Sequence, residues 1–544
     1  MPQTPLRLFT IFRQVAMKLT GLRLLAVISA SFAGAVCAKA ATSPRYGGTL
    51  RVELRQSAIA FDPREWKAGA SDSAADEKLG ALVFDRLVTL DNYGRVQPQL
   101  ATEWSHDAAF KRWQFTIRAG VKFSDGAAFT ASDVAAALQP LLASNQSILA
   151  SGNAVVFQSP APAPDLLEEL SSGRYFVYRL QPDGGLLGTG PFFVSESAAR
   201  AADGRVSHYK LSANDSCWAG RPFLDAVELT LGVPALRALF DLQLGRADLI
   251  DLSPELVRRA TQENLRVWSS VPLRLFALRF DGAQTATADA KLREAFSLAL
   301  DRGTMAGVLL QKQAEPAAAL LPQWLSGYAF LFTMETNLNR AKEIRATLLE
   351  NAAAGAKPLR LRVDAQGDIA KLLGERVAVN ARQASISVQV VNRAASRVSV
   401  QDAANEAPGA VEPAAGLHLF EWHYSSLSPR AELESLVSAL IPGGATDVAN
   451  SSASPEQLYA IEKRLLDERR ILPLVALPEF AGVGRNVRNW MPSRWGAWHL
   501  EEVWLDRADS LPEHSGVARP ANEGPASSAQ GQQPQQAAVN GARP

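Results

Sequence analysis

The sequence has few of the residues from which enzymes and metalloproteins usually build their sites. Two cysteines occur in 544 residues, Cys37 and Cys217, and the six histidines are scattered along the chain. Two cysteines do not support a disulfide framework, and no H-E-x-x-H, G-x-S-x-G, C-x-x-C or P-loop pattern occurs. The formal net charge is +1, so bulk electrostatics favour neither nucleic acid nor an acidic surface. We therefore expect no metal, no cofactor, no nucleic-acid partner and no enzymatic activity.

The first 40 residues have the pattern of an export signal. Arg13, Lys18 and Arg23 supply a positively charged region ahead of an apolar run. The run 24–36 is uncharged and mostly apolar, and it is too short to span a bilayer comfortably. Ala38-Lys39-Ala40 fits an A-x-A cleavage site. The pattern predicts a signal peptide at 1–40, cleavage near Ala40 and a periplasmic location.

Two features of the same segment leave alternatives open. Cys37 raises the possibility of a lipoprotein, although Gly34 and Val36 do not fit the positions before a lipidated cysteine. Met17 is an alternative start that would give a signal of more ordinary length. An uncleaved membrane anchor is the third alternative.

The stretch 92–134 combines a strand pattern with turn and helix-start chemistry. Trp113, Phe115 and Ile117 alternate with polar residues, which is typical of a half-buried strand. Ser124-Asp125-Gly126 favours a turn, because Gly tolerates positive φ and Asp bonds to the backbone nearby. Thr130 precedes Asp133 by three residues, as in a capping box. The residues alone predict a small β-rich unit that ends at a helix start.

The same stretch closely resembles the signature of the family 5 solute-binding proteins of ABC transporters. The matching elements are Pro98, Leu100-Ala101-Thr102, Trp104, Trp113-Gln114-Phe115, Arg118, Gly120-Val121, Phe123-Ser124-Asp125-Gly126 and Thr130-Ala131-Ser132-Asp133-Val134. Further matches are Gly47-Gly48-Thr49-Leu50, Phe61-Asp62-Pro63, Gly188-Thr189-Gly190-Pro191-Phe192 and the helix 292–302. The resemblance covers roughly 46–506, with gaps near 144–185 and 400–416.

The resemblance implies an α/β fold of the two-lobed periplasmic binding protein type, class II or cluster C. A small extra β-rich domain and a ligand cleft between the lobes belong to that fold. The segments implied are 46–83, 188–281 and 479–510 for lobe I, 84–187 for small domain II and 282–478 for lobe III. The tail 511–544 is rich in Pro, Gln and Ala and lacks aromatic residues, so its composition predicts disorder.

Hydrophobic spacing gives the remaining element predictions. Apolar residues at helical spacing predict a helix over 79–90. A helix followed by a strand is predicted within 235–252, and again with a helix over 369–379 and a strand over 386–391. A helix over 455–468 and a strand over 471–474 complete the set.

The segment 417–429 resembles the strand and loop that face the cleft in the family. The resemblance implies ligand-binding roles for Trp422, His423, Tyr424, Ser425 and Ser426. A core position for Trp422 is the alternative.

This loop departs from the family pattern in its acidic residues. Ser428-Pro429 stands where peptide binders have Asp-Pro, and no carboxylate lies between Glu421 and Glu432. A desolvated ammonium needs a partner charge. We therefore expect a neutral, polyhydroxylated or anionic ligand rather than a free peptide.

The resemblance implies a monomeric periplasmic protein that captures a small solute, peptide-like or other, and delivers it to an ABC importer permease. An exported enzyme or a protein-interaction factor on the same scaffold is the alternative, since a fold does not fix a function. A metal site at His418 and His423 has little support, because residues five apart on a strand point to opposite faces.

Overall fold

The computed structural model describes residues 43–66, 71–200, 206–281, 288–350, 358–392, 415–441, 448 and 454–506, with backbone alone at 71–74, 198–200 and 392. Contacts divide the chain into one unit at 1–505 and a second at 506–544. The predictions of a signal peptide at 1–40 and a disordered tail at 511–544 lie outside the described residues.

Short strands and helices alternate along the chain, with few long elements. The strands are β1 (Thr49–Glu53), β2 (Val88–Leu90), β3 (Val96–Pro98), β4 (Ala101–His106), β5 (Arg112–Ile117), β6 (Ser147–Ser151), β7 (Ala154–Gln158), β8 (Arg179–Leu180), β9 (Leu186–Leu187), β10 (Phe192–Arg200), β11 (Val206–Ala213), β12 (Ala226–Thr230), β13 (Leu249–Leu252), β14 (Arg266–Phe280), β15 (Glu315–Pro316), β16 (Leu359–Val363), β17 (Val388–Asn392), β18 (Leu417–His423), β19 (Ile471–Val483), β20 (Val487–Arg488) and β21 (Trp504–Leu505). The α-helices are α1 (Ser71–Gly80), α2 (Ala131–Leu138), α3 (Leu166–Leu170), α4 (Ala235–Gln243), α5 (Pro254–Gln262), α6 (Ala290–Ala299), α7 (Arg302–Thr304), α8 (Gln323–Ser326), α9 (Leu338–Glu350), α10 (Gly367–Gln383), α11 (Pro429–Leu440) and α12 (Pro455–Asp467).

One large mixed sheet connects the two ends of the main unit. Its order is β10-β11-β12-β1-β13-β19-β14-β18-β16-β17, with β15 beside β19. β1 runs parallel to β12 and β13, while the long strands β14 and β19 pair antiparallel. Leu50 and Val52 of β1 are fully buried between polar neighbours, as period-two alternation requires.

The pairing of β14 with β19 is irregular in its middle. The register shifts between Ser269 and Arg274, where Pro272 lies opposite Pro478. Neither proline can donate a ladder hydrogen bond. The amide of Val271 donates to the Arg494 carbonyl instead, at 3.1 Å. The two halves of the large sheet are therefore joined by a strand pair with a weakened centre.

A four-stranded sheet of order β4-β5-β7-β6 contains two strands from the β-rich stretch predicted for 92–134 and two more from 147–158. Trp113, Phe115 and Ile117 of β5 are buried, which confirms the strand prediction. The Thr130 amide donates to Asp133 Oδ2 at 2.8 Å, so the capping box is present. In the predicted turn, Gly126 has φ +86° and the Ala127 amide donates to Asp125 Oδ1 at 2.9 Å.

The prediction of one helix over 79–90 is wrong. α1 ends at Gly80, and 88–90 is strand β2. Leu79 and Leu82 belong to one hydrophobic core, whereas Leu87 and Val88 belong to the core of the four-stranded sheet. The apolar spacing arises because the chain passes from one core into the next, so it does not mark a single helix face.

The other spacing predictions are confirmed within a few residues. The predicted helix–strand units correspond to α4 with β13 and to α10 with β17. The helix over 455–468 is α12, and the strand over 471–474 is the first part of β19.

Gly188 and Gly190 lie where two backbone segments nearly touch. A Cβ on Gly188 would stand 1.9 Å from the Val83 carbonyl oxygen, and one on Gly190 would stand 2.7 Å from it. The Gly190 amide donates to the same carbonyl at 3.0 Å. These glycines let the return segment 188–192 lie directly against the end of the α1 region.

Residues distant in sequence share one core around β1. This core draws its side chains from 50–84, 176, 192–249 and 481–505. Other cores lie against β16 and β18 and around α11. The assignment of residues to lobes I and III and to domain II stays a prediction. Among the described helices, none is long and apolar enough to cross a membrane.

Candidate functional site

A cleft lies between α1, the segments 86–90 and 171–175, and the loop after β18. It consists of two adjoining cavities of about 100 and 270 Å³. Glu77, Ser172 and Ser425 line both cavities, so the two spaces form one depression. Residues 493–499 complete the wall of the first cavity.

Four of the five predicted loop residues line the cleft, and the fifth does not. His423, Tyr424 and Ser425 line the first cavity, and Ser425 and Ser426 line the second. Trp422 is 4% exposed and lines neither cavity. It packs in a hydrophobic core with Leu275 and other residues, and its Nε1 donates to Glu432 Oε1 at 2.6 Å. The position of Trp422 matches the core alternative.

The hydroxyl of Tyr424 is committed inside the protein. It donates to the Leu320 carbonyl at 2.5 Å, and burial raises the pKa of Tyr424 well above its ordinary value. Tyr424 lines the first cavity, but it is only 4% exposed and belongs to the same core as Trp422. Its hydroxyl proton is therefore not available for a hydrogen bond to a ligand.

Glu432 supports the loop from the following helix. Its Oε2 accepts hydrogen bonds from the amides of Ser426 and Ser425 at 2.8 and 3.2 Å. Burial raises the pKa of Glu432 to about 7. A carboxyl group thus does reach the loop, although the sequence 422–431 contains none.

Glu479 of β19 connects α1 to the loop. Lys78 Nζ lies 2.5 Å from Glu479 Oε2, and His423 Nε2 lies 3.2 Å from Glu479 Oε1. Burial opposes ionisation of Glu479, but the Lys78 charge and the hydrogen bond to His423 hold its pKa well below the usual range. His423 Nδ1 is buried and has no hydrogen-bond partner among the described residues.

Glu77 and Arg86 add charge to the middle of the cleft. Burial, with the nearby charge of Glu432, raises the pKa of Glu77 to about 8. Arg86 Nη1 donates to the Ser171 carbonyl at 2.6 Å, and its guanidinium lies 5.1 Å from the centre of the Phe176 ring. Burial lowers the pKa of Arg86.

A latch joins the start of α11 to the start of α3 beside the cleft. Ser428 Oγ donates to Asp165 Oδ2 at 2.6 Å. Arg430 Nε and Nη2 donate to the two oxygens of Asp165 at 3.0 and 3.1 Å, and Nη2 lies 3.6 Å from Glu169. The latch is Asp165, Ser428 and Arg430. The serine that replaces the family's aspartate thus binds a carboxylate supplied by another part of the chain.

Sequence reasoning missed Glu77, Lys78, Arg86 and Glu479. Lys78 and Glu479 are 401 positions apart, and neither lies in a motif that matches the family signature. Only the folded chain brings these groups together.

His418 and His423 contact different carboxylates. His418 Nδ1 lies 2.8 Å from Asp364 Oδ2, whereas His423 contacts Glu479. Within the described residues, no group of three or more His, Cys, Asp or Glu side chains could hold a metal ion.

Comparisons with known proteins agree on the class of this fold. The family model "Bacterial extracellular solute-binding proteins, family 5 Middle" matches residues 95–439. The nickel-binding periplasmic protein of Escherichia coli is 25% identical over 256 residues, which are 41% of this chain and 47% of that protein. The peptide transport periplasmic protein SapA of Salmonella typhimurium is 24% identical over 341 residues, which are 53% of this chain and 60% of that protein. The chain thus spans about half the length of these curated relatives.

Solved structures resemble the whole fold. NikA from Brucella suis in complex with Fe(III)-EDTA has a TM-score of 0.69 at 19% identity, covering 84% of this chain and 100% of that one. OppA from Haemophilus influenzae in complex with RPPGFSPFR has a TM-score of 0.69 at 16% identity, covering 85% and 100%. The prediction of a two-lobed α/β fold is confirmed. The family model covers more than half of the sequence, so this chain belongs to the family 5 bacterial extracellular solute-binding proteins.

Proposed function

We propose that this protein captures a small solute, peptide-like or other, in its cleft and delivers it to the permease of an ABC importer. Export to the periplasm, a monomeric state and the absence of enzymatic activity are parts of the same proposal. Membership of a family of solute-binding proteins supports it.

The observation that carries the proposal is the composition of the cleft wall. Side chains from α1, from 86–90, from the loop after β18 and from 493–499 meet there, so the cleft depends on the whole fold. The wall mixes aromatic faces with a few placed polar groups, as small-molecule sites do. Trp324 and Trp495 supply the apolar faces, and their rings lie 5.0 Å apart.

Native mass spectrometry of the purified mature protein tests the proposal. We expect a bound small molecule that is lost when the protein is denatured. Ser425→Trp should abolish the adduct, because Ser425 lines both cavities and a large ring there would fill the cleft. Ser132→Trp is the matched control, since Ser132 is exposed on α2 and lines neither cavity.

Two results would contradict the proposal. The first is a wild-type protein with no adduct and no affinity for any solute tested. The second is an adduct that persists in Ser425→Trp. Light scattering on the same sample tests the monomer.

A further inference from the structure

We propose that Arg86 makes the cleft selective for solutes that carry an anionic group, a carboxylate or a phosphate. This inference rests on the proposed solute-binding function and names the class of solute.

Arg86 is held in place by the protein on one side only. Its Nη1 donates to the Ser171 carbonyl at 2.6 Å, and the Phe176 ring lies beneath the guanidinium. Its Nε is buried and has no hydrogen-bond partner among the described residues. The side chain lines the first cavity and is half-buried. Its Nη2 makes no hydrogen bond to the described residues, so a fixed, partly dehydrated guanidinium stands in the cleft wall with an unused donor group.

The acidic residues closest to Arg86 form no ion pair with it, although burial lowers the pKa of Arg86 and the nearby Glu77 and Asp85 act to raise it. Asp85 is occupied by Thr189 and Trp218, whose hydrogen bonds to it are both 2.8 Å long. Glu77 holds its proton up to about pH 8, so in neutral solution it is mostly uncharged. None of the carboxylates in the described part of the chain forms an ion pair with Arg86.

The other cationic side chains of the cleft are differently placed. Lys78 is paired with Glu479 at 2.5 Å, and Arg64 is paired with Asp62. Arg174 is exposed to solvent. Arg86 is thus the half-buried cation of the cleft wall that has no ion-pair partner among the described residues.

An anionic solute would supply the ion-pair partner that Arg86 lacks among the described residues. A desolvated charge is unfavourable unless it is paired, and the guanidinium fork matches the geometry of carboxylates and phosphates. A charge-assisted hydrogen bond in such a site is stronger than a neutral one. The anionic group of a solute therefore gains affinity at Arg86 that a neutral analogue cannot gain.

Arg118 offers a matched control. Like Arg86 it is half-buried, donates to one backbone carbonyl (Gln99, 3.0 Å) and lies over an aromatic ring (Trp218, 4.4 Å). It lines neither cavity. Arg118→Gln should therefore reproduce any general effect of losing such an arginine without changing solute selectivity.

The test uses matched acid and neutral probes on wild type, Arg86→Gln and Arg118→Gln. The probes are tri-alanine with a free carboxylate and its C-terminal amide, and glucose 6-phosphate with glucose. Calorimetric titration gives Kd for each pair, and native mass spectrometry records the charge class of any solute that co-purifies. Thermal melts confirm that each variant is folded.

We expect wild type to bind an acid at least about tenfold more tightly than its neutral partner, or to co-purify with an anionic solute. Arg86→Gln should bind the acid with a smaller preference over the neutral probe, or should no longer co-purify with the anionic solute. Arg118→Gln should behave like wild type in both measurements. A preference within the tri-alanine pair indicates a carboxylate site, and a preference within the glucose pair indicates a phosphate site. Three results would overturn the inference but leave the proposed function standing. Wild type could bind the acid and neutral probes equally, it could co-purify with a neutral solute, or Arg86→Gln could keep the wild-type preference. A wild type that binds no probe and carries no solute overturns both.

Discussion

Glu77 gives the folded protein a response to pH at the scale of a single residue. The folded state keeps the Glu77 proton up to about pH 8, whereas an unfolded chain releases it near 4.5. Between these values the folded state binds more protons than the unfolded state, so the free energy of unfolding contributed by this group falls as pH rises.

Glu77→Gln should therefore flatten the decrease of Tm between pH 5 and pH 8 and raise Tm at pH 8. Thermal melts across that range measure it, with Glu103→Gln as control because Glu103 is exposed on β4 and outside the cleft. A Glu77→Gln profile parallel to that of wild type would contradict the assignment.

Trp422 is the residue at which the predicted site and the structure differ most. Trp422→Ala should lower the free energy of unfolding by about 3–5 kcal/mol, because it removes a buried ring from the core. It also leaves Glu432 without the donor at 2.6 Å. Urea denaturation measures the loss, and Tyr93→Ala, at a ring that is 83% exposed, should change little. A stable Trp422→Ala protein that no longer binds its solute would instead show that the ring contacts the ligand.

At the scale of elements, the start of α11 is tied to the start of α3. The Asp165 and Arg430 side chains are 14% and 17% exposed, so their ion pair is only partly screened by solvent. Breaking it should allow the cleft to open. A carboxylate in place of Ser428 would stand beside Asp165 and repel it.

A double-mutant cycle on Asp165→Asn and Arg430→Gln should give a coupling energy of about 1–3 kcal/mol in urea denaturation. The exposed pair Arg340 and Glu343 on α9 is the control and should couple by less than about 0.5 kcal/mol. Coupling in the latch no larger than in the control would show that Asp165 and Arg430 do not hold the cleft.

Elements that depend on neighbouring residues could be predicted from the sequence, and those that depend on distant ones could not. The alternation in β5 and the cap at Thr130 involve residues within a few positions of each other. The strand β2 was missed because the residues around it belong to two different cores. Of the predicted loop, His423 and Ser425 line the cleft and their ligand-binding role stays a prediction, whereas no local pattern could show that Glu432 turns back to hold Trp422 and the loop amides.

At the scale of the whole molecule, two halves of one sheet are joined at the irregular pairing of β14 with β19. Binding of a solute should draw the walls of the cleft together by a hinge motion. Small-angle scattering should give a smaller radius of gyration for the solute-loaded protein than for protein stripped of solute by denaturation and refolding. An unchanged radius at saturation would count against closure.

We expect the whole chain to be exported to the periplasm and its signal peptide to be removed. The A-x-A pattern at 38–40 predicts a mature chain that begins at Ala41. N-terminal sequencing of the protein recovered from the periplasm checks this. A retained 24–36 segment or a lipid on Cys37 would refute it.

The facing prolines of β14 and β19 bear on how fast the cleft can open. Pro272 and Pro478 have no amide hydrogen to lose, so bending between them breaks no backbone bond of that pair. Opening must also break the Asp165–Arg430 ion pair beside the cleft, which dissolved salt weakens in part. Solute dissociation should accordingly quicken as ionic strength rises, while the stability of the sheet, measured by backbone hydrogen exchange in β14 and β19, stays nearly constant.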